Sequence, residues 1–437
     1  MDAVIFAVVV TVALAVLFDF TNGFHDAANA TSTVIATRSL KPKTAVIVSA
    51  IFNFLPAFIV GTAVANTISK TVDLGAMPGV AEGAVPLGVR VTLAALLGAV
   101  FWNYLTWHFG LPSSSSHALI GGLIGAGISA AGLGAISWSS VQLTVIAIFA
   151  SPLIAFAIAI LATYLIRFIQ RVFKVHEDSE FFRWAQVASS CWVSWGHGSN
   201  DAQKTMGVIA ATLFAGGFLA DTDASSLEPP IWVVFLAHAA IAAGTVWGGW
   251  KIIETMGLKI TRITRASGFA ANIGAITSIE GATHLGVPIS TTQAVSASIV
   301  GSGVGERRKV NWFVMRDMVI AWFLTLPAAG FVGFVVYKIT VLPDPWATIA
   351  TALTIVVLLT WAGRLMLHAT TASDIEAELP SEAELKGPSY GFQVQQTSDA
   401  EVSAMTGDGA AGEATGSGAV DPSVDPGPAV RGAEPRD

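Results

Sequence analysis

Apolar runs long enough to cross a bilayer, about 20 residues, recur along the chain and predict an all-helical, polytopic membrane protein. They cover 3–37, 44–66, 89–109, 113–131 and 141–166. After a charged loop come 184–220, 231–250, 267–285, 288–304, 317–337 and 346–366. The first and sixth runs exceed one span and are interrupted by polar residues, so each reads as a helix with a broken or re-entrant half. The pattern predicts roughly 11 to 12 membrane segments.

The loops between these runs alternate in charge. Arg38, Lys41 and Lys43 form one basic loop, and Arg167, Arg171, Lys174 and Arg183 a second. Lys251, Lys259, Arg262 and Arg265 form a third, and Arg307, Arg308, Lys309 and Arg316 a fourth. The loops between them carry Asp73 and Glu82, then Asp221, Asp223 and Glu228, then Asp344. The positive-inside rule assigns the basic set to the cytoplasm, with the N-terminus outside and the C-terminus inside. The stretch from Met1 to Phe18 has no basic n-region and leads into a polar motif, so it reads as a retained span rather than a cleaved signal. A plasma (inner) membrane location follows as the expectation.

Composition agrees and excludes the alternatives. The chain has 437 residues, 53% hydrophobic and 12% charged, about half the charge of an ordinary soluble domain. A water-soluble enzyme is thereby excluded. The single cysteine, Cys191, excludes a disulfide framework and a cysteine-based metal centre. The net charge of −7 is concentrated in one place: residues 373–437 carry −10 and the rest +3. That acidic segment, rich in Gly, Ala, Pro and Ser, has too little apolar surface to offset its ordering entropy and reads as a disordered cytoplasmic tail.

The chain also repeats itself. Asn22-Gly-Phe-His-Asp-Ala-Ala-Asn29 in the first long run is echoed by His197-Gly-Ser-Asn-Asp-Ala-Gln-Lys204 in the sixth, with Gly23, Asp26 and Ala27 matching Gly198, Asp201 and Ala202. Gly110-Leu-Pro-Ser-Ser-Ser-Ser-His117 is likewise echoed by Gly286-Val-Pro-Ile-Ser-Thr-Thr-Gln293. The loop charges make the first unit enter from outside and the second from inside. Two inverted-topology repeats with polar breaks at corresponding positions are the sequence mark of a secondary transporter with a midplane site. The expected organisation is a first repeat at 1–166, a basic cytoplasmic linker at 167–183 and a second repeat at 184–337. A final transmembrane helix at 338–372 and the tail at 373–437 complete it.

Ser113, Ser114, Ser115 and Ser116, and in the second unit Ser290, Thr291 and Thr292, would open helices. Hydroxyls beside free helix N–H groups and a positive dipole end suit a tetrahedral oxyanion. Asp26 and Asp201, beside Asn29 and Asn200, are acidic residues inside apolar runs. Such groups are functional candidates, as hard-cation ligands or proton carriers. Gln203 and Lys204 follow in the same stretch, and Lys204 would neutralise Asp201 or a bound anion. His25 and His197 flank the carboxylates and, as imidazoles, are candidates for a direct part in coupling. His108 and His284 match each other and suit capping, His117 has Gln293 as its counterpart, and Glu280 is a further candidate protonation site. No Walker A loop and no serine-nucleophile motif is present, so the chain is expected to be neither an ATP-driven pump nor an enzyme.

These four motifs resemble the paired signatures of the inorganic phosphate transporter (PiT) family over residues 1 to about 366, and the two aspartate motifs resemble its bacterial low-affinity branch most closely. The resemblance implies phosphate as ligand, co-transported with protons or sodium ions, in bacterial members also as a neutral metal–phosphate complex. Carried onto this chain, it implies that Asp26, Asn29, Asn200 and Asp201, with His25, hold the coupling cation or proton. Ser113–Ser116 and Ser290–Thr292 would hold phosphate oxygens, with Gln203 and Lys204 lining the site. The run of four serines stands where Val-Ser-Thr-Thr is more usual in the family. His25 replaces an Asn more typical of sodium-coupled members, which favours protons. The expected protein is therefore a proton–phosphate symporter working by alternating access in a lipid bilayer. It needs no covalently bound cofactor, no resident metal and no nucleic acid, and a homodimer is left open. A sodium-coupled symporter, a symporter of another oxyanion such as sulfate, a phosphate sensor that moves nothing and an anion channel are the alternatives.

Overall fold

The computed structural model describes residues 3–59, 61–73, 77, 84–219 and 227–379. Glu82, Asp221, Asp223 and the tail beyond 379 lie outside the described residues, as does the disorder expected of that tail.

The first repeat runs α1 (Ala3–Ala36), a bent pair α2 (Pro42–Phe54) and α3 (Ala63–Ser69), a hairpin α4 (Leu87–His108) and α5 (Ser115–Ala131), and the long α6 (Trp138–Phe173). The second repeats that order as α7 (Glu180–Ala215), α8 (Ile231–Trp247) with α9 (Trp250–Glu254), α10 (Arg265–His284) with α11 (Thr291–Gly305), and α12 (Trp312–Thr340). Two further helices follow, α13 (Trp346–Leu367) and α14 (Ala372–Glu378). Local signals set many of the starts. Ser114 and Ser290 cap α5 and α11 by accepting from the N–H three residues on, Thr264 opens α10 with a capping box, and Pro42 occupies the first turn of α2.

The halves correspond in small features too. An antiparallel bridge, Val72 with Ile136, joins the end of the first bent pair to the start of α6, and Thr261 with Val310 does the same before α12. Each hairpin turns on a glycine in the left-handed region, Gly110 at φ 66° and Gly286 at φ 67°, a conformation that a Cβ disfavours. Thr67 donates to the carbonyl of Gly286 at 2.7 Å, and Thr255 donates to that of Gly110 at 3.0 Å. So the bent pair of each half grips the hairpin tip of the other. The larger contacts are exchanged in the same way. α1 packs on α8 while α7 packs on α2 and α3, and α6 covers α10 and α11 while α12 covers α4 and α5. Reciprocal exchange of this kind is what two inverted halves about a common axis produce.

Helix length locates the hairpin ends in depth. At 1.5 Å per residue, α1 and α6 reach about 50 Å, whereas α5 and α11 reach only about 22–26 Å, short of a ~30 Å hydrocarbon core. Serines 113–116 and residues 290–292 are all buried, so the short helices begin inside the protein. Among the described residues five helices are long and apolar enough to cross a bilayer, seven if each bent pair counts as one. The other elements of the expected count are too short, as α5 and α11 are, or too polar to stand out by composition. Exposed Ile146, Phe149, Leu153, Phe323, Phe331, Leu353 and Val357 on α6, α12 and α13 form the apolar exterior that lipid requires.

Two expectations need correcting. The long runs are not broken: α1 and α7 are continuous helices of 34 and 36 residues. The breaks fall in the elements after them, and α8 bends by 70° into the α9 segment. Polar residues at mid-span failed to break the long helices because other helices supply their partners. The start of the expected tail is also ordered. In α14 Thr371 forms a capping box with Asp374, Ile375 is buried, and Arg38 donates to the Leu379 carbonyl at 2.9 Å.

The repeated glycine of the polar motif has a packing role in both halves. A Cβ on Gly23 would lie 2.1 Å from the Ile241 carbonyl oxygen, and one on Gly198 2.3 Å from that of Asn53. Each long helix thus lies backbone to backbone on the bent pair it borrows. Gly23→Ala is expected to force α1 and α8 apart at a cost of about 1–3 kcal/mol, read as a lowered Tm in detergent. An unchanged Tm would show that this contact is looser than described.

Candidate functional site

Asp26 and Asp201 come from the middles of α1 and α7, the first helices of the two halves. On α1, Asn22, Asp26 and Asn29 recur at helical spacing; on α7, His197, Asn200, Asp201 and Lys204 do so. Both stripes face inward, and every one of these side chains is buried. The two carboxylates flank one imidazole: His197 Nε2 lies 3.8 Å from Asp26 Oδ2 and 3.6 Å from Asp201 Oδ2. Nδ1 of His197 donates to Asn53 Oδ1 at 3.1 Å. That bond orients the ring so that Nε2 faces the two acids.

Each carboxylate is tied to the hairpin of the opposite half. Thr291, in the first turn of α11, donates to Asp26 at 3.3 Å, and Asn29 donates to Thr291 and Thr292 at 3.2 Å. Asp201 receives Lys204 Nζ at 2.7 Å. The same ammonium donates to Ser116 Oγ at 2.5 Å, in the first turn of α5, and to the Ile289 carbonyl at 2.9 Å. Ser116 in turn donates to Ile289 at 2.8 Å. The openings of α5 and α11 therefore meet at Lys204, which faces both positive dipole ends. Asn22 completes the ring, accepting from Ser115 at 2.6 Å and donating to Asp201 at 3.2 Å.

The charge balance decides what such a site can accept. Two carboxylates and one ammonium leave one net negative charge with the histidines neutral. Anions favour the helix N-termini and Lys204, but an anion entering a buried site of that sign requires protons or cations to accompany it. Asp26, His197 and Asp201 each offer a ligand atom, all within 4.8 Å of one another, and this is the place that would hold a cation. His25 links that cluster to the hydroxyls: Nδ1 is 2.8 Å from Asp26, and Nε2 is 3.2 Å from Thr106 Oγ1 and 3.3 Å from Ser113 Oγ.

Of the residues singled out in the sequence, His25, Asp26, Asn29, His197, Asp201, Lys204, Ser113, Ser115, Ser116, Thr291 and Thr292 come together here. The others are placed differently. Ser114 and Ser290 accept from backbone N–H groups as caps. Asn200 donates to Thr283 at 3.0 Å and accepts from the Ile289 N–H at 3.5 Å, bracing the α10–α11 turn. Gln203 points away: its Oε1 accepts from Val64 N–H at 2.8 Å and its Nε2 donates to Ser199, so it caps α3. His108 and His284 sit at the C-terminal ends of α4 and α10. Glu280 lies apart and accepts from Trp192 at 3.2 Å. Gln203→Ala is expected to cost about 1 kcal/mol through the lost cap and to leave the KM for phosphate unchanged. A raised KM would return Gln203 to the site. Sequence reasoning gave no role to Asn22, Thr106 or Asp19; for Asp19 an acidic residue inside an apolar run was the available signal.

Helices presenting a buried polar centre, anchored from both sides, between two interlocked halves have the architecture of a membrane transporter. The chain belongs to the phosphate transporter family, whose model it matches over residues 22–333. It is 43% identical over 331 residues to a probable low-affinity inorganic phosphate transporter of Rhizobium meliloti, covering 75% of this chain and 94% of that protein. A protein of the same description from Bacillus subtilis is 39% identical over 340 residues, 78% of this chain and 98% of its own. A solved sodium-dependent phosphate transporter superposes with a TM-score of 0.65 at 24% identity, over 76% of this chain and 98% of that one. At that identity the likeness speaks for the fold.

Proposed function

We infer that the chain imports inorganic phosphate by alternating access, in symport with protons. The observation that carries this reading is His25, whose ring bridges the Asp26 carboxylate to Thr106 and Ser113 beside the opening of α5. An imidazole in that position can pass a proton between a carboxylate and the edge of an oxyanion pocket. The phosphate oxygens would take the place of side-chain acceptors around Ser115, Ser116, Thr291, Thr292 and Lys204, and the coupling proton would cancel the excess negative charge so that the loaded carrier reorients more easily than the half-loaded one. Basic loops facing the cytoplasm orient the N-terminus outward and the tail inward in a plasma membrane.

Radiolabelled phosphate uptake into proteoliposomes tests this reading, with an imposed pH gradient or an imposed sodium gradient. Accumulation under the pH gradient alone is expected. Accumulation under sodium alone would overturn proton coupling while keeping phosphate as substrate. A second reading, phosphate carried with a divalent metal ion, is favoured by the clustered donors of Asp26, His197 and Asp201. It predicts that uptake falls when a chelator strips divalent ions from both compartments.

A further inference from the structure

Asp19 has no part in the site described above, yet it is the most anomalous acid among the described residues. Its side chain is fully buried in α1, and neither carboxylate oxygen has a partner at full hydrogen-bond geometry, although Thr205 and Asn22 lie close by. It stands seven residues before Asp26, about 10 Å along the helix, on the same stripe as Asn22, Asp26 and Asn29. The polar groups that bear on it are Thr205 and Asn22, and the charged ones are Asp201 and Lys204, both on α7. Thr205 Oγ1 is likewise buried and unpartnered. Among the described residues, the other polar side chains on helices that meet α1 are used elsewhere: Asn103 of α4 donates to Thr21, and His238 of α8 bonds back to Val234.

The repeat shows that the scaffold does not require this acid. The corresponding position in the second half is Ser194, which is satisfied by Ser49 at 2.9 Å and by the Ser190 carbonyl at 3.0 Å. An ionised carboxylate without a donor inside a membrane protein costs several kcal/mol, and a buried group so placed takes up a proton instead. Asn22 connects it to the centre, since it lies one turn on from Asp19 and bonds Asp201 and Ser115.

We propose that Asp19 is the residue that carries the coupling proton. It holds the proton as a neutral acid in the arrangement described here and releases it as the carboxylate when the halves reorient and Thr205 and Lys204 turn donors toward it. The proton is bound from one side and released to the other, with no bond changed in phosphate. This assignment rests on the proton-symport reading, and wild-type protein tests that reading first: accumulation driven by sodium alone in the wild type would overturn both together. Given a pH-driven wild type, Asp19→Asn, a neutral mimic of the loaded acid, is expected to lose accumulation under a pH gradient. It should retain exchange of labelled for unlabelled phosphate across vesicles without a gradient. Persistent pH-driven accumulation in this variant would overturn the assignment. Infrared difference spectroscopy reads the same claim independently of transport. A protonated-carboxyl band is expected in wild-type protein at neutral pH, shifted in Asp19→Glu and missing in Asp19→Asn. If Asp19→Asn does not fold, the shift in Asp19→Glu decides, and a band that does not move overturns the proposal.

Discussion

Lys204→Met is expected to abolish phosphate uptake and to lower the stability of the protein at the same time. Lys204 is fully buried and makes three bonds, to Asp201 at 2.7 Å, Ser116 at 2.5 Å and the Ile289 carbonyl at 2.9 Å. Removing the ammonium leaves Asp201 as an unpaired buried charge, a change that typically costs about 3–5 kcal/mol. It also removes a cation from the place where the two hairpins meet, and with it the attraction for an oxyanion. The two losses are separable. Asp201→Asn together with Lys204→Met removes both charges, leaving a neutral pair of similar volume. The double variant should recover much of the Tm in detergent without recovering uptake. Wild-type transport by Lys204→Met would show that the ammonium is a structural staple.

Asp26→Asn is expected to abolish accumulation while leaving the fold intact. The amide has the shape of the carboxylate and can still accept from Thr291, which now lies 3.3 Å from Asp26. It carries no charge, so it removes one of the two charges facing His197 Nε2. Loss of function here therefore has an electrostatic cause, unlike the mixed loss at Lys204. Gel filtration and helical circular dichroism unchanged from wild type, with uptake at the level of empty vesicles, is the expected pair of results. Normal uptake would remove Asp26 from the coupling machinery.

The two variants also differ in what connects them to the hairpins. Asp26 reaches α11 directly through Thr291, whereas Asp201 reaches α5 only through Lys204 and Asn22. The halves are thus alike in scaffold and unlike in charge.

The membrane class, the two-half organisation and the position of the motifs were legible in the sequence. Each depends on short-range or periodic signals: apolar run length, loop charge, and motifs repeated at nearly one spacing, Asp26 with Asp201 and Gly110 with Gly286. The tertiary structure decided the rest. Polar residues inside α1 look like a break when only the chain neighbours are considered. The helix stays whole because Asp201, Ser115, Thr106 and Thr291, all remote in sequence, satisfy Asn22, His25 and Asp26. The serines of one run divide by the same logic: Ser114 is used as a cap while Ser115 and Ser116 reach across to α1, α7 and Ile289. Gln203 and Lys204 are neighbours in sequence, but a helix turns about 100° per residue, which sends one to the end of α3 and the other to the centre. A hydrogen bond is short and directional, so its partner is chosen by how helices cross, and a linear sequence records no crossings.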